Sequence, residues 1–128
     1  MSSQEPIRVV LVDDEPHALA GLKALLGTYA RIAVVGTATD GEQAVARALE
    51  HRPQVVVMDV IMPRCDGIEA TRRIKREDPS IKVLLLTTYG AVEHDGRRAG
   101  ADRVLLKVDS DEEIVEAICE LGGADRTE

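Results

Sequence analysis

Val9-Val10-Leu11-Val12-Asp13-Asp14-Glu15 is an apolar run that stops at three consecutive acids. Val55-Val56-Val57-Met58-Asp59 repeats the pattern with one acid, and Val83-Leu84-Leu85-Leu86-Thr87-Thr88 ends in hydroxyls. Near-continuous aliphatic runs of this length suit strands covered on both faces, as in a parallel sheet flanked by helices. In such a sheet ligands bind in the crevice beyond the strands' carboxyl ends, so Asp13, Asp14, Asp59 and Thr87 are expected to converge there. A fourth run, Arg103-Val104-Leu105-Leu106-Lys107, delivers an ammonium to the same edge. Crowded carboxylates repel one another and call for a cation, and an all-oxygen donor set favours Mg²⁺ over softer metals. The expected outcome is a metal-assisted phosphate site.

The segments between these runs have helical period. Pro16 suits a first helical turn, followed by an apolar stripe of Ala18, Leu19, Leu22, Leu25 and Leu26. Ile32 to Val35 reads as a second strand. Asp40 or Gly41 opens a helix through Glu50, with Ala44, Val45, Ala48 and Leu49 facing inward. Ile68 to Glu77 forms another, ended near Asp78-Pro79 because proline moves its predecessor away from helical dihedrals. Val104 to Leu106 is a short fifth strand, and Asp111 to Leu121 a last helix capped by Asp109 or Ser110. Early acids there suit the helix dipole, and Ile114, Val115, Ile118 and Leu121 form its buried face. The pattern is α/β, a (βα)5 alternation.

Composition narrows the class. A length of 128 residues matches one domain, and 45% apolar residues with no Phe and no Trp require a core of Val, Leu, Ile and Ala. A formal net charge of -7 argues against a nucleic-acid surface on this domain, which would need clustered Lys and Arg. The start, Met1-Ser2-Ser3-Gln4-Glu5-Pro6, lacks the features of a secretory signal, and no apolar run approaches a membrane span; a cytoplasmic protein is expected. Cys65 and Cys119 are too few for a disulfide framework, and His17, His51 and His94 are too scattered for a metal-ligand set. Gly36, Gly90 and Gly96 build neither G-x-G-x-x-G nor a P-loop, so no nucleotide is expected.

Taken in order, Leu-Val-Asp13-Asp14-Glu15, Val-Met-Asp59-Val60-Ile61-Met62-Pro63-Arg64-Cys65-Asp66-Gly67, Leu-Leu-Thr87-Thr88-Tyr89 and Ala-Gly-Ala-Asp-Arg-Val-Leu-Leu-Lys107 resemble the receiver domain of bacterial two-component response regulators, especially the NarL/LuxR-type branch. The resemblance runs from about residue 7 to 121. It implies a three-layer, doubly wound, CheY-like sheet in strand order 2-1-3-4-5, with helices one and five on one face and two, three and four on the other. It also implies a flexible start over 1-6, a receiver domain over 7-121, and over 122-128 a tail or truncated linker to a DNA-binding domain.

The site roles follow from the same resemblance. Asp59 is the expected phosphoacceptor, served by a sensor histidine kinase, and a carboxylate is chemically able to form the acyl phosphate. Asp14 corresponds to the direct metal-binding acid and Asp13 to the second acid, which orients the metal's water. Asp59 and the Ile61 backbone carbonyl complete the metal set. Thr87 would donate its hydroxyl to a phosphoryl oxygen, and Lys107 would contact the phosphate or, without it, pair with Asp59. Thr88 leaves room for phosphate entry. Ile61 and Tyr89 correspond to residues that tune access of hydrolytic water, and Pro63 and Gly67 shape the loop after the third strand.

One stretch departs from the family pattern. Where a NarL/LuxR-type receiver has an amphipathic fourth helix and an aromatic three positions before the lysine, this chain has Gly90-Ala91-Val92-Glu93-His94-Asp95-Gly96-Arg97-Arg98-Ala99-Gly100 and Val104. The fourth helix is therefore expected to be short or disordered, with residues 90-100 the mobile route by which phosphorylation is read. The favoured function is a phosphorylation-controlled receiver with self-dephosphorylating activity, switching transcriptional output or dimerisation in the longer protein. The competing function is a phosphate-independent interaction module of the same fold. A homodimer would join Arg97, Arg98 and Arg103 to Glu112, Glu113, Glu116 and Glu120 across the fourth-to-fifth helix face.

Overall fold

The computed structural model describes residues 5-88, 92-107 and 111-123. The aliphatic runs become five parallel strands, β1 (Ile7–Val12), β2 (Ile32–Ala38), β3 (Val55–Asp59), β4 (Lys82–Thr87) and β5 (Arg103–Leu106). They alternate with helices α1 (Pro16–Leu26), α2 (Gly41–His51), α3 (Gly67–Glu77), α4 (Glu93–Arg98) and α5 (Asp111–Gly123). The sheet order is β2-β1-β3-β4-β5, with β1 and β3 adjacent at its centre. Because side chains alternate across a strand, each central strand feeds two cores. Val10, Val12, Val56, Met58, Val83 and Leu85 pack with α2 and α3 residues such as Ala44, Ala48, Ala70 and Ile74. Val9, Leu11, Val55, Val57, Leu84 and Leu86 pack with Leu26 of α1 and with Ile114, Ala117 and Ile118 of α5. The expected distribution of helices on the two faces is thus observed.

Several element ends differ from expectation. β2 runs on to Ala38 because Val35 is an extra residue: Val9 pairs with Val34 but Val10 with Gly36, and the ladder continues to Val12 with Ala38. Glu15 caps α1, its Oε1 accepting from the backbone N–H groups of His17 and Ala18. α5 extends two residues beyond Leu121 to Gly123, with Gly122 buried against Ile7. The proposed α5 caps Asp109 and Ser110, Tyr89 and Gly90, and the outermost residues of both termini lie outside the described residues.

The disordered alternative for the fourth helix is not what is found. Glu93–Arg98 is helical and short, with Gly96 buried in its middle. Gly96, read as a helix breaker, is instead a contact point: a Cβ there would lie 2.9 Å from Leu85 Cδ1 and 3.4 Å from Val104 Cγ2. The missing side chain lets α4 approach β4 and β5 closely, and Val92, Ala101 and Val104 pack against the same core. The apolar anchors come from the flanks and from the sheet, which the local composition of the segment conceals.

Candidate functional site

The carboxyl ends of β1, β3, β4 and β5 meet at one edge of the sheet. Val12 pairs with Met58 and Asp59 with Leu86, so the residues ending each strand stand side by side. Asp14, Asp59, Val60, Ile61, Leu86, Thr87, Thr88 and Lys107 line an open cleft of about 280 Å³. Asp13, Asp14 and Asp59 each offer a carboxylate oxygen, and the three atoms lie within 4.8 Å of one another. Lys107 faces two of them, with Nζ 3.0 Å from Asp59 Oδ2 and 3.3 Å from Asp13 Oδ2. The expected pairing of Lys107 with Asp59 is therefore present, and Asp13 shares the ammonium.

Backbone contacts hold this arrangement. The Lys107 N–H donates to the Thr87 carbonyl at 2.8 Å and the Val60 N–H to the Leu86 carbonyl at 3.0 Å, tying the ends of β3, β4 and β5 together. Asp13 Oδ1 accepts from the Glu15 N–H at 2.9 Å, orienting the first acid of the pair. Thr87 is buried at the end of β4, whereas Ile61 is 59% exposed on the rim of the cleft. Pro63 accepts through its carbonyl from the Cys65 N–H, and Gly67 donates to the Val60 carbonyl, so both shape the β3–α3 loop as expected. Cys65 and Cys119 are free thiols, the first buried.

Electrostatics mark Asp59 as the strained group. Burial first, and then the neighbouring Asp13 carboxylate, raise its carboxyl to about 7 against the pull of Lys107. For Lys107, burial works against the charged form, but Asp59 and Asp13 overcome it and hold the ammonium above its ordinary range. Asp59 Oδ1 is buried with no hydrogen-bond partner among the described residues. Three acids against one ammonium leave two negative charges to neutralise, the charge of one divalent cation. Oxygens on opposite sides of Mg²⁺ stand ~4.2 Å apart, so the acid cluster fits one such ion with some ligands reaching it through water. The donor set thus suits the metal.

Two residues that sequence reasoning passed over also border this region. Asp40 is buried at the start of α2 and accepts from Arg64 Nε at 3.0 Å, and Arg64 sits in the β3–α3 loop with φ 66°. No local signal joins them, since they are 24 positions apart and Asp40 reads alone as the opener of a helix.

Comparison with known proteins agrees with this geometry. A family model described as "Response regulator receiver domain" matches residues 9-119. The transcriptional regulatory protein YxjL of Bacillus subtilis is 40% identical over 118 residues, covering 91% of this chain and 54% of that protein. Among solved structures, the signal receiver domain of the response regulator NarL from Mycobacterium tuberculosis superposes with a TM-score of 0.87 at 31% identity, covering 91% of this chain and 96% of that one. CheY of Borrelia burgdorferi, in a complex with CheX, BeF3 and Mg²⁺, superposes with a TM-score of 0.82 at 25% identity, covering 91% and 89%. The chain spans about half the length of the curated relatives it matches. With its strand order, its acid cluster and a family match across most of its length, the chain belongs to the response regulator receiver domains.

Proposed function

We propose that Asp59 accepts a phosphoryl group from a sensor histidine kinase and that the domain thereby switches the output of a longer transcriptional regulator. The observation that carries this reading is the convergence of Asp13, Asp14, Thr87 and Lys107 on a buried carboxylate with one oxygen that has no donor among the described residues. In the transfer, an Asp59 oxygen forms a bond to phosphorus while the donor's phosphorus–nitrogen bond breaks, its electron pair returning to the imidazole. Asp13, Asp14, Asp59 and the Ile61 carbonyl would hold Mg²⁺, which when bound neutralises and aligns the phosphoryl oxygens. Lys107, already 3.0 Å from Asp59, supplies a fixed positive charge to the incoming oxygens, and the Thr87 hydroxyl donates to another. The rim position of Ile61 lets it limit the water that later cleaves the acyl phosphate to phosphate and free Asp59.

The BeF3 and Mg²⁺ bound in the similar CheY complex support the choice of metal and of phosphoryl chemistry. We further propose a DNA-binding domain elsewhere in the longer protein, a reading supported by the transcriptional regulatory role in the name of YxjL, and a cytoplasmic setting; no helix among the described residues is long and apolar enough to cross a membrane. Homodimerisation through α4 and α5 has to compete with internal pairs, because Arg97 already meets Glu93 at 3.0 Å and Arg103 meets Glu120 at 2.8 Å.

The test is labelling by acetyl phosphate with Mg²⁺, followed by intact-mass analysis. Wild type should gain one phosphoryl group and Asp59→Asn none. Equal labelling of both, or an unmodified wild type beside a labelled control receiver, overturns the proposal in favour of a phosphate-independent module.

A further inference from the structure

Asp13 and Asp14 lie in the β1–α1 loop, Asp59 ends β3, and Ile61 lies in the β3–α3 loop, so something must hold those two loops in register. The connection between β2 and α2 touches both. On one side the Asp13 N–H donates to the Ala38 carbonyl at 3.1 Å. Two residues on, the Asp40 carboxylate caps α2, Oδ1 accepting from the Gln43 N–H at 2.8 Å, while Oδ2 accepts from Arg64 Nε at 3.0 Å. Arg64 lies three positions beyond Ile61 in the loop after the proposed phosphoacceptor.

Two features show that this contact is built rather than incidental. Arg64 adopts φ 66°, a left-handed conformation that L side chains take at a cost and that a contact must hold in place. Asp40 is only 2% exposed, so its charge needs a partner, and Arg64 supplies the ionic one. The approach is also tight: a Cβ on Gly41 would run into the Cys65 carbonyl, so the start of α2 lies directly on the loop backbone. Displacing the loop therefore displaces the α2 N-terminus, and through Ala38 reaches Asp13.

We propose that Asp40 and Arg64 are positioning residues for the metal site, fixing the β3–α3 loop and its Ile61 carbonyl relative to Asp13 and Asp14. The proposal rests on the receiver reading of the acid cluster. Neither residue touches the metal; together they set the spacing of groups that do. Arg64 is 70% exposed, so the pair adds little to global stability, and its effect should appear in cation affinity.

Calorimetric titration of the metal-free domain with Mg²⁺ tests this. Arg64→Gly removes the guanidinium while accommodating the positive φ, and Asp40→Asn keeps a capping oxygen but removes the charge. Each should weaken Mg²⁺ binding on the order of tenfold, the low end of losses when groups that orient metal ligands are removed. Arg64→Lys should recover part of the affinity, and the double variant should bind no worse than the weaker single one, because both remove one contact. Urea unfolding in EDTA identifies a variant that fails to fold; if Asp40→Asn does, Arg64→Gly decides. Unchanged affinity in Arg64→Gly, with wild type binding normally, overturns the positioning role alone. A wild type that binds no Mg²⁺, or binds it no better than Asp13→Asn, overturns the proposed metal-assisted phosphoacceptor site and the positioning role together.

Discussion

Asp59 should make the metal-free domain lose stability as pH rises through neutrality, and Asp59→Asn should remove that loss. The carboxyl is held up to about 7 from an ordinary value of 3.8, first by burial and then by the Asp13 carboxylate. The folded state therefore binds this proton more tightly than the unfolded chain does. Stability from this group is complete below the unfolded value, declines as pH climbs from about 4 towards about 7, and levels off above. The rise from 3.8 to about 7 corresponds to ~4 kcal/mol in full, of which ~2 kcal/mol falls between about pH 5.5 and pH 8. Lys107 does not contribute in that window, since its raised value keeps it charged throughout. Urea unfolding in EDTA at several pH values, for wild type and Asp59→Asn, gives the difference directly. Wild type should fall relative to the variant by ~2 kcal/mol across the window, a large part of the 5–15 kcal/mol typical of a domain. Saturating Mg²⁺ should restore wild type more at pH 8 than at pH 5.5, because the cation competes with the proton. Parallel wild-type and Asp59→Asn profiles in EDTA would refute the account of a crowded, desolvated carboxylate.

Asp40 behaves oppositely: the Gln43 N–H and then Arg64 hold its carboxyl below the usual range, so its stabilisation is present above pH 4 and lost as pH falls through the folded value. Circular dichroism during acid titration should show Asp40→Asn with a flatter acid limb than wild type. Gly96→Val should destabilise the domain by ~2 kcal/mol, since its branches meet the buried Leu85 and the half-buried Val104, and urea midpoints will register the loss. Gly41→Ala should cost ~3 kcal/mol or more, because the obstacle is the Cys65 backbone carbonyl and not a side chain able to turn aside; thermal melts suffice to measure it.

The acid cluster was legible because its members announce themselves locally. Each of Asp13, Asp59, Thr87 and Lys107 ends an aliphatic run, and parallel pairing sends all such ends to one edge. Contacts that join distant turns carry no such mark. Asp40 reads as a helix opener and Arg64 as a loop residue, and only the packing of α2 on the β3–α3 loop turns them into a buried acid and its counter-ion. The extension of β2 was hidden for a related reason. Gly36 and Thr37 weaken the strand pattern, yet the ladder shifts register by one at Val35 and pairing with β1 continues to Ala38, beside Asp13.

Gly96 shows most clearly how a propensity can be read correctly and still mislead. Glycine costs a helix ~1 kcal/mol relative to alanine, which argues against order in a six-residue segment carrying five charged or imidazole side chains. Tertiary contact reverses the inference, since the absent Cβ is what lets α4 settle onto Leu85 and Val104. Val104 stands where the resemblance leads one to expect an aromatic, and the space is occupied by the helix backbone instead. In place of that aromatic, α4 has a close seat on β4 and β5. β4 also carries Thr87, two residues from Leu85 and on the cleft itself. Leu85, which Gly96 meets, thus lies on the same strand as the hydroxyl at the cleft, and a Cβ at position 96 would hold α4 away from it.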